Sequence, residues 1–266
     1  MGVMLRSAQI AAFFLALVMA SPALAWAPEG HQIVAAIAAN ELTQKAQAQL
    51  SSLLGGDAKA VMVLDSSWAD EIRQQRPETN SWHYVNIELG SGGFSPSRDC
   101  RGGNCVVAQI ERDMAILRDP RASKPAKREA LLFLIHFIAD LHQPLHAADR
   151  HDKGGNDILV RLRGKRLSLH QVWDQDVVSV MGDDYARIAA SIRPTPGQKA
   201  ELRSGTPADW ARETFIVAAR EIYGQLPVSG RITLPPDYAK REMDLTRLQL
   251  TRAGLRLAAT LNAIFR

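Results

Sequence analysis

Between Leu131 and His146 the chain reads LLFLIHFIADLHQPLH, a strongly apolar run into which His136 and Asp140 are set four residues apart. Positions i and i+4 share a helix face, so this run predicts a buried helix presenting an imidazole and a carboxylate side by side. A carboxylate in apolar surroundings is costly unless paired, so the fold must bring a cation to Asp140. Pro144 should end the helix and leave His146 just beyond it. The spacing recurs at His170 and Asp174 in LHQVWD. One such pair reads as a hydrogen-bonded helix turn, whereas two pairs of nitrogen and oxygen donors without thiolate suit a hydrolytic zinc site.

The rest of the pattern is helical too. Gly30–Leu54, Asn104–Arg118, Lys127–His142, His170–Val180, Pro207–Gly224 and Asp237–Phe265 have helical periodicity, and Gly90–Gly103, Arg193–Thr206 and Gln225–Pro236 read as loops from their Gly, Pro and Ser content. Asp157–Arg163 and Arg166–Leu169 alternate around Gly164 as one short hairpin. The expected fold class is therefore all-α: a mostly helical single domain over residues 26–266 with at most that hairpin. Residues 1–25 read as a secretory signal, with Arg6, an apolar stretch Ile10–Ala20 too short to span a bilayer, and the small-residue site Ala23-Leu24-Ala25. Cleavage between Ala25 and Trp26 removes Arg6 as its only charge, lowering the formal net charge from +4 by one. So weak a positive balance is no nucleic-acid footprint by itself. The two cysteines, Cys100 and Cys105, lie close together in an exported chain and are expected to form a disulfide.

Of the seven histidines, His31 and His83 lie upstream of the paired ones, as does Asp70 in SSWAD. Taken singly, Asp70 reads equally as a cap or surface charge and His83 as a core histidine. In order, however, the motifs WAPEGH (Trp26–His31), WAD (Trp68–Asp70), WHY (Trp82–Tyr84), HFIADLHQPLH, GGN (Gly154–Asn156) and LHQVWD, then WARETF (Trp210–Phe215) and AGLRLAATLN (Ala253–Asn262), resemble the trinuclear-zinc, single-strand-specific nucleases. That family is more distantly similar to bacterial zinc phospholipase C, and the resemblance covers essentially the whole of residues 26–266.

The resemblance implies a phospholipase C/nuclease-like helical fold and three Zn²⁺ per chain. One ion would be held by Asp70, His83, His136 and Asp140. A close neighbour would share Asp140 and take His31 with the free amine and carbonyl of Trp26, and the third would take His146, His170 and Asp174. His142 and His151 would lie outside this set or on the surface. The implied reaction is hydrolysis of single-stranded DNA and RNA to 5′-phosphorylated products, with a 3′-nucleotidase activity on mononucleotides. Zinc would activate the attacking water and Asp70 would orient it, so no protein nucleophile is needed. Arg73 falls where relatives carry a basic residue near the phosphate, and a guanidinium can grip phosphoryl oxygens in a bidentate way; its plain alternative is a surface arginine. Asn156 matches the asparagine beside the scissile phosphate, or is simply a turn residue after two glycines. Tyr84 would stack a base and Asn86 would bond it. Asn86 replaces the family's aspartate and Ser168 its asparagine, which puts the base preference in doubt. The signal segment and the lack of a second apolar run long enough to span a bilayer point to a secreted or periplasmic protein without a membrane span, and a monomer is expected.

Three rivals remain at this point. A zinc phospholipase C shares the metal set, but Asp174 stands where those enzymes carry glutamate, and GGN also favours the nuclease. An HD-type phosphohydrolase is hinted at by His151-Asp152, yet that dipeptide lies in a glycine-rich loop. A periplasmic zinc-binding protein would use the same donors without needing open positions.

Overall fold

The computed structural model describes residues 26–227 and 230–266, so the expected signal segment lies outside the described residues. The first helices are α1 (Pro28–Asn40), α2 (Gln44–Leu54), α3 (Ala58–Leu64) and the single turn α4 (Trp68–Glu71). After a 3-10 segment, Pro77–His83, and the turn α5 (Pro96–Asp99) come the longer α6 (Val106–Arg118) and α7 (Lys124–Leu141). The hairpin β1 (Leu159–Leu162) and β2 (Lys165–Ser168) leads into α8 (Leu169–Gln171), a π-helical turn at Val172–Asp176, and α9 (Val177–Ser179). Next are α10 (Tyr185–Ser191), α11 (Pro196–Leu202), α12 (Pro207–Val217), the strand β3 (Ile232–Thr233), α13 (Tyr238–Arg241) and α14 (Met243–Ile264). No described helix is long and apolar enough to cross a membrane.

Helix α7 is the central element. The Ser123 hydroxyl caps it by accepting from Ala126 N–H, and every residue from Ala130 to Leu141 is buried, as the apolar run requires. Helices α6, α14 and α1 pack around it. Helix α1 meets α14 at Gly254, where an added Cβ would lie 2.5 Å from Ile37 and 3.1 Å from the Val34 carbonyl. Gly254→Ala should therefore destabilise the protein by about 1–2 kcal/mol net, overpacking outweighing the better helix propensity of alanine. Thermal unfolding should show a Tm lower by roughly 3–6 °C; an unchanged Tm would mean that the two helices separate freely.

The structure is mostly helical, as the sequence predicts, and Cys100 and Cys105 are disulfide-bonded. Several boundaries differ. The stretch Gly30–Leu54 is two helices, because Thr43 caps α2 by accepting from Ala46 N–H while its own N–H donates to Asn262. The expected loop Arg193–Thr206 contains α11, started by a capping box between Thr195 and Gln198 with Pro196 in the first turn. The expected loop Gln225–Pro236 contains β3, which pairs parallel with β1 (Val160 with Ile232, Arg161 with Thr233) and makes the hairpin a three-stranded sheet in the order β2-β1-β3. Two paired residues are too few to show a strand period.

Candidate metal centre

Four elements carry the side chains that meet at one end of α7. His136 and Asp140 come from α7 itself, His31 from α1, and Asp70 and His83 from α4 and the end of the 3-10 segment. Asp140 sits among four histidines. Its carboxylate oxygens lie 2.9 Å from His83 Nδ1, 3.2 Å from His136 Nε2, 3.6 Å from His31 Nε2 and 3.7 Å from His146 Nδ1. Asp70 lies 3.6 Å from both His83 and His136. The rings of His31 and His136 stack 3.9 Å apart.

These side chains form three groups whose donor atoms lie within 4.8 Å of one another: His31–His136–Asp140, Asp70–His83–His136, and His146–His170–Asp174. The first two share His136. The third is built by the chain after α7. Pro144 starts a 3-10 turn ending at His146, and the π turn within the expected helix His170–Val180 holds Asp174 with an oxygen 3.3 Å from His170 Nε2.

Carbonyl groups fix the rings. His136 donates its Nδ1–H to the Ser66 carbonyl (2.8 Å), His146 to that of His83 (2.8 Å) and His170 to that of Gly154 (2.6 Å), since a carbonyl can only accept. In the neutral ring each such bond leaves Nε2 as a lone-pair donor. Gly154 makes its contribution at close quarters: its φ is +61° and an added Cβ would lie 2.4 Å from the Leu145 carbonyl, so GGN is a packing requirement as well as a turn. Trp26 is fully buried, with its indole N–H donating to Ala139 and its Cβ so near Gly30 that a side chain at 30 would collide. Ala27 N–H donates to the Asp174 carbonyl (2.8 Å), which ties the start of α1 to the third group.

The residues fit a metal. Both ring nitrogens of His31, Nε2 of His83 and Oδ1 of Asp140 are buried without a hydrogen-bond partner. Burial pushes the Asp140 carboxyl up, but His136 and His83 outweigh it and hold it well below the usual carboxylate range. Burial pulls His136 down, yet Asp140 and Asp70 raise it to about 9. His31 is held well below its ordinary value by burial and by His136. In the third group burial outweighs the partners. Burial pushes Asp174 well above the carboxylate range against the opposing Gln143, and burial lowers His146 to about 3 and His170 below its ordinary value. A carboxyl and two imidazoles kept neutral in one buried spot are the groups that a divalent cation would convert to carboxylate and lone-pair donors.

Gln143, which no local signal in HQPLH marks, is fully buried. Its Nε2–H donates to Asp174 Oδ1 (2.7 Å) while its Oε1 accepts from Leu145 N–H (2.6 Å). One Asp174 oxygen is thereby occupied and the other left beside His170. Gln143→Leu should weaken metal retention by this group about 10- to 100-fold, read by competition with a chromogenic zinc chelator. Retention equal to wild type would show that Asp174 needs no such support.

Above the groups lies a cleft of about 400 Å³ lined by His83, His146 and His170 and by four predicted substrate residues, Arg73, Tyr84, Asn86 and Asn156. Arg73 donates to Asp70 Oδ1 (3.2 Å) and to Asn80, so it sits beside the metal groups rather than on the open surface. Asn156 does both things foreseen for it, donating to the Lys153 carbonyl within its turn while facing the cleft. Lys153 and Asn80 also line the cleft; the sequence marked neither, although Lys153 adjoins GGN. A larger hollow of about 610 Å³ beside α1 has only Glu29 and Asp183 as charged lining and none of the histidines.

The two remaining histidines part company. His151 is exposed and lies 3.1 Å from Glu88. His142 is fully buried, donates to the Ile138 carbonyl and accepts from Arg256 of α14, which also bonds Glu213. Burial and the Arg256 charge keep His142 neutral.

Comparison with known proteins gives a match to the family model described as S1/P1 nuclease over residues 26–266. Endonuclease 4 of Arabidopsis thaliana is 30% identical over 91% of this chain and 90% of its own length. Endonuclease 2 of the same plant is 28% identical over 90% of each. Nuclease P1 of Penicillium citrinum is 27% identical over 90% of this chain and 97% of its own.

Proposed function

The chain belongs to the S1/P1 nuclease family and is a metal-dependent phosphodiesterase, and from that premise we propose that it hydrolyses single-stranded DNA and RNA to 5′-phosphorylated products and removes 3′-phosphate from mononucleotides. The observation that carries this reading is the coincidence of three His/Asp groups, all buried but for the half-buried Asp70, with a cleft edged by Arg73, Lys153 and Tyr84. Nine residues would hold three zinc ions: Trp26, His31, Asp70, His83, His136, Asp140, His146, His170 and Asp174. Bound zinc supplies Lewis acidity and lowers the pKa of the attacking water toward neutrality.

The side chains do the rest. Arg73 and Lys153 place positive charge where the phosphodiester enters, and the Arg73 guanidinium can bond two phosphoryl oxygens at once. Asp70, held from one side by Arg73, keeps an oxygen to accept a proton of the attacking water and so set its direction. Tyr84, 37% exposed, offers a face on which a base can stack whatever its identity, and Asn86 and Asn156 offer amide groups to base and phosphate. A base stacked on Tyr84 must leave its helix, which explains a preference for single strands. The protein acts as a monomer outside the cytoplasm, its signal segment removed between Ala25 and Trp26.

The test is release of acid-soluble nucleotide from single-stranded DNA and RNA by protein beginning at Trp26. Release of 5′-mononucleotides that stops with chelator and returns with zinc is the expected result. No release from either polymer by zinc-loaded protein would overturn the reading and turn attention to phosphatidylcholine.

A further inference from the structure

The small sheet has one buried and one solvent-facing surface. Val160, Leu162, Ile232 and Leu234 point inward, and Leu159, Arg161, Arg166, Arg231 and Thr233 point outward. Arg161 and Arg166 are direct cross-strand partners on β1 and β2, and Arg161 is paired with Thr233 on β3, two residues after Arg231. Like charges directly opposite one another destabilise a sheet. Among the described residues no carboxylate is ion-paired with either arginine. None of the three arginines forms an ion pair among the described residues, and the nearby Asp157 is bound to Lys153 instead. Together with Gly230 they line a hollow of about 300 Å³, beside which Leu159 exposes half its surface.

We propose that this outer face is a second nucleic-acid contact surface, on which Arg161, Arg166 and Arg231 hold the phosphate backbone of a single strand whose scissile bond lies in the cleft. The proposal rests on the nuclease reading above and adds where the polymer runs. Neighbouring strands lie about 4.8 Å apart, so the row from β2 across β1 to β3 covers about 10 Å, enough for more than one phosphate. Guanidinium groups suit phosphate geometry, and exposed Leu159 gives a base an apolar place to rest. The sheet is also continuous with the cleft: β1 follows Lys153, Gly154 and Asn156, and β2 leads into His170. From Asn156 to Arg161 is at most about 17 Å of chain. An anionic strand passing from the cleft along this arm would neutralise the Arg161–Arg166 pair that the protein leaves uncompensated.

Binding of a fluorescent 30-nucleotide single strand is measured by anisotropy in an Asp70→Asn background, which prevents cutting, across a salt series. Replacing all three arginines by glutamine should lower the slope of log affinity against log salt by about 2 and the affinity at 0.1 M salt at least tenfold. Replacement by lysine should keep the slope. With Asp70 intact, the glutamine variant should lose about tenfold in kcat/KM on the 30-mer through KM, while kcat/KM on a dinucleotide, too short to reach the sheet, changes less than twofold. An unchanged slope, or an equal loss with Lys45→Gln on α2, overturns the proposal. Wild-type protein that cuts neither substrate sinks the nuclease reading instead, and the slope still decides the surface.

Discussion

Asp140→Asn should reduce kcat/KM on single-stranded substrate by about a thousandfold or more, equivalent to roughly 4 kcal/mol of transition-state stabilisation. Asp140 is the one carboxylate placed among His31, His83, His136 and His146, so its charge serves more than one of the three groups. Asparagine keeps the shape and removes the charge. Its amide N–H₂ would face ring nitrogens where a carboxylate oxygen now accepts, and His136 would lose the main partner that raises its pKa. Elemental analysis should show at least one zinc lost per chain, and loss of metal that binds only the folded state should also lower Tm. Circular dichroism separates this from misfolding. A folded variant with full zinc content and a rate within tenfold of wild type would remove Asp140 from the site.

Protein that keeps residues ahead of Trp26 should lack one zinc and lose most of its activity, on the order of a hundredfold or more. An α-amine has a free lone pair, whereas the nitrogen of a peptide bond has given its own to the amide and is no metal donor. Trp26 has no freedom to compensate, because its indole is bonded to Ala139, its Cβ is against Gly30 and the next residue is bonded to Asp174. The comparison is between protein beginning at Trp26 and protein beginning a few residues earlier, each measured for zinc and for nucleotide release. Equal metal and equal rate in the two would show that the amine is not used.

Much of this site was legible because its donors come as local spacings. His136 with Asp140, and His170 with Asp174, declare a shared helix face in five letters each. His31, Asp70 and His83 had no such signature and gained meaning only from the order of motifs around them. What escaped notice depends on distant partners. Gln143 reads as a linker residue until Asp174 is seen beside it, and Gly154 reads as a turn glycine until the Leu145 carbonyl is seen against it. Lys153 reads as loop charge until the cleft is formed. The fold shows the same division. The buried run Ala130–Leu141 of α7 was plain, while β3 exists because β1 is there to pair with it, and α11 begins at a Thr-Pro signal that reads equally as a turn.

The bond from Ala27 N–H to the Asp174 carbonyl joins positions about 150 residues apart. Contacts of such long sequence separation form late, since the loop between them must be closed before they repay its entropy. Ala27 therefore gains this anchor only once the π turn carrying Asp174 has been made and docked. Hydrogen exchange during refolding should find the Ala27 amide among the last to become protected, with zinc uptake following it and not leading.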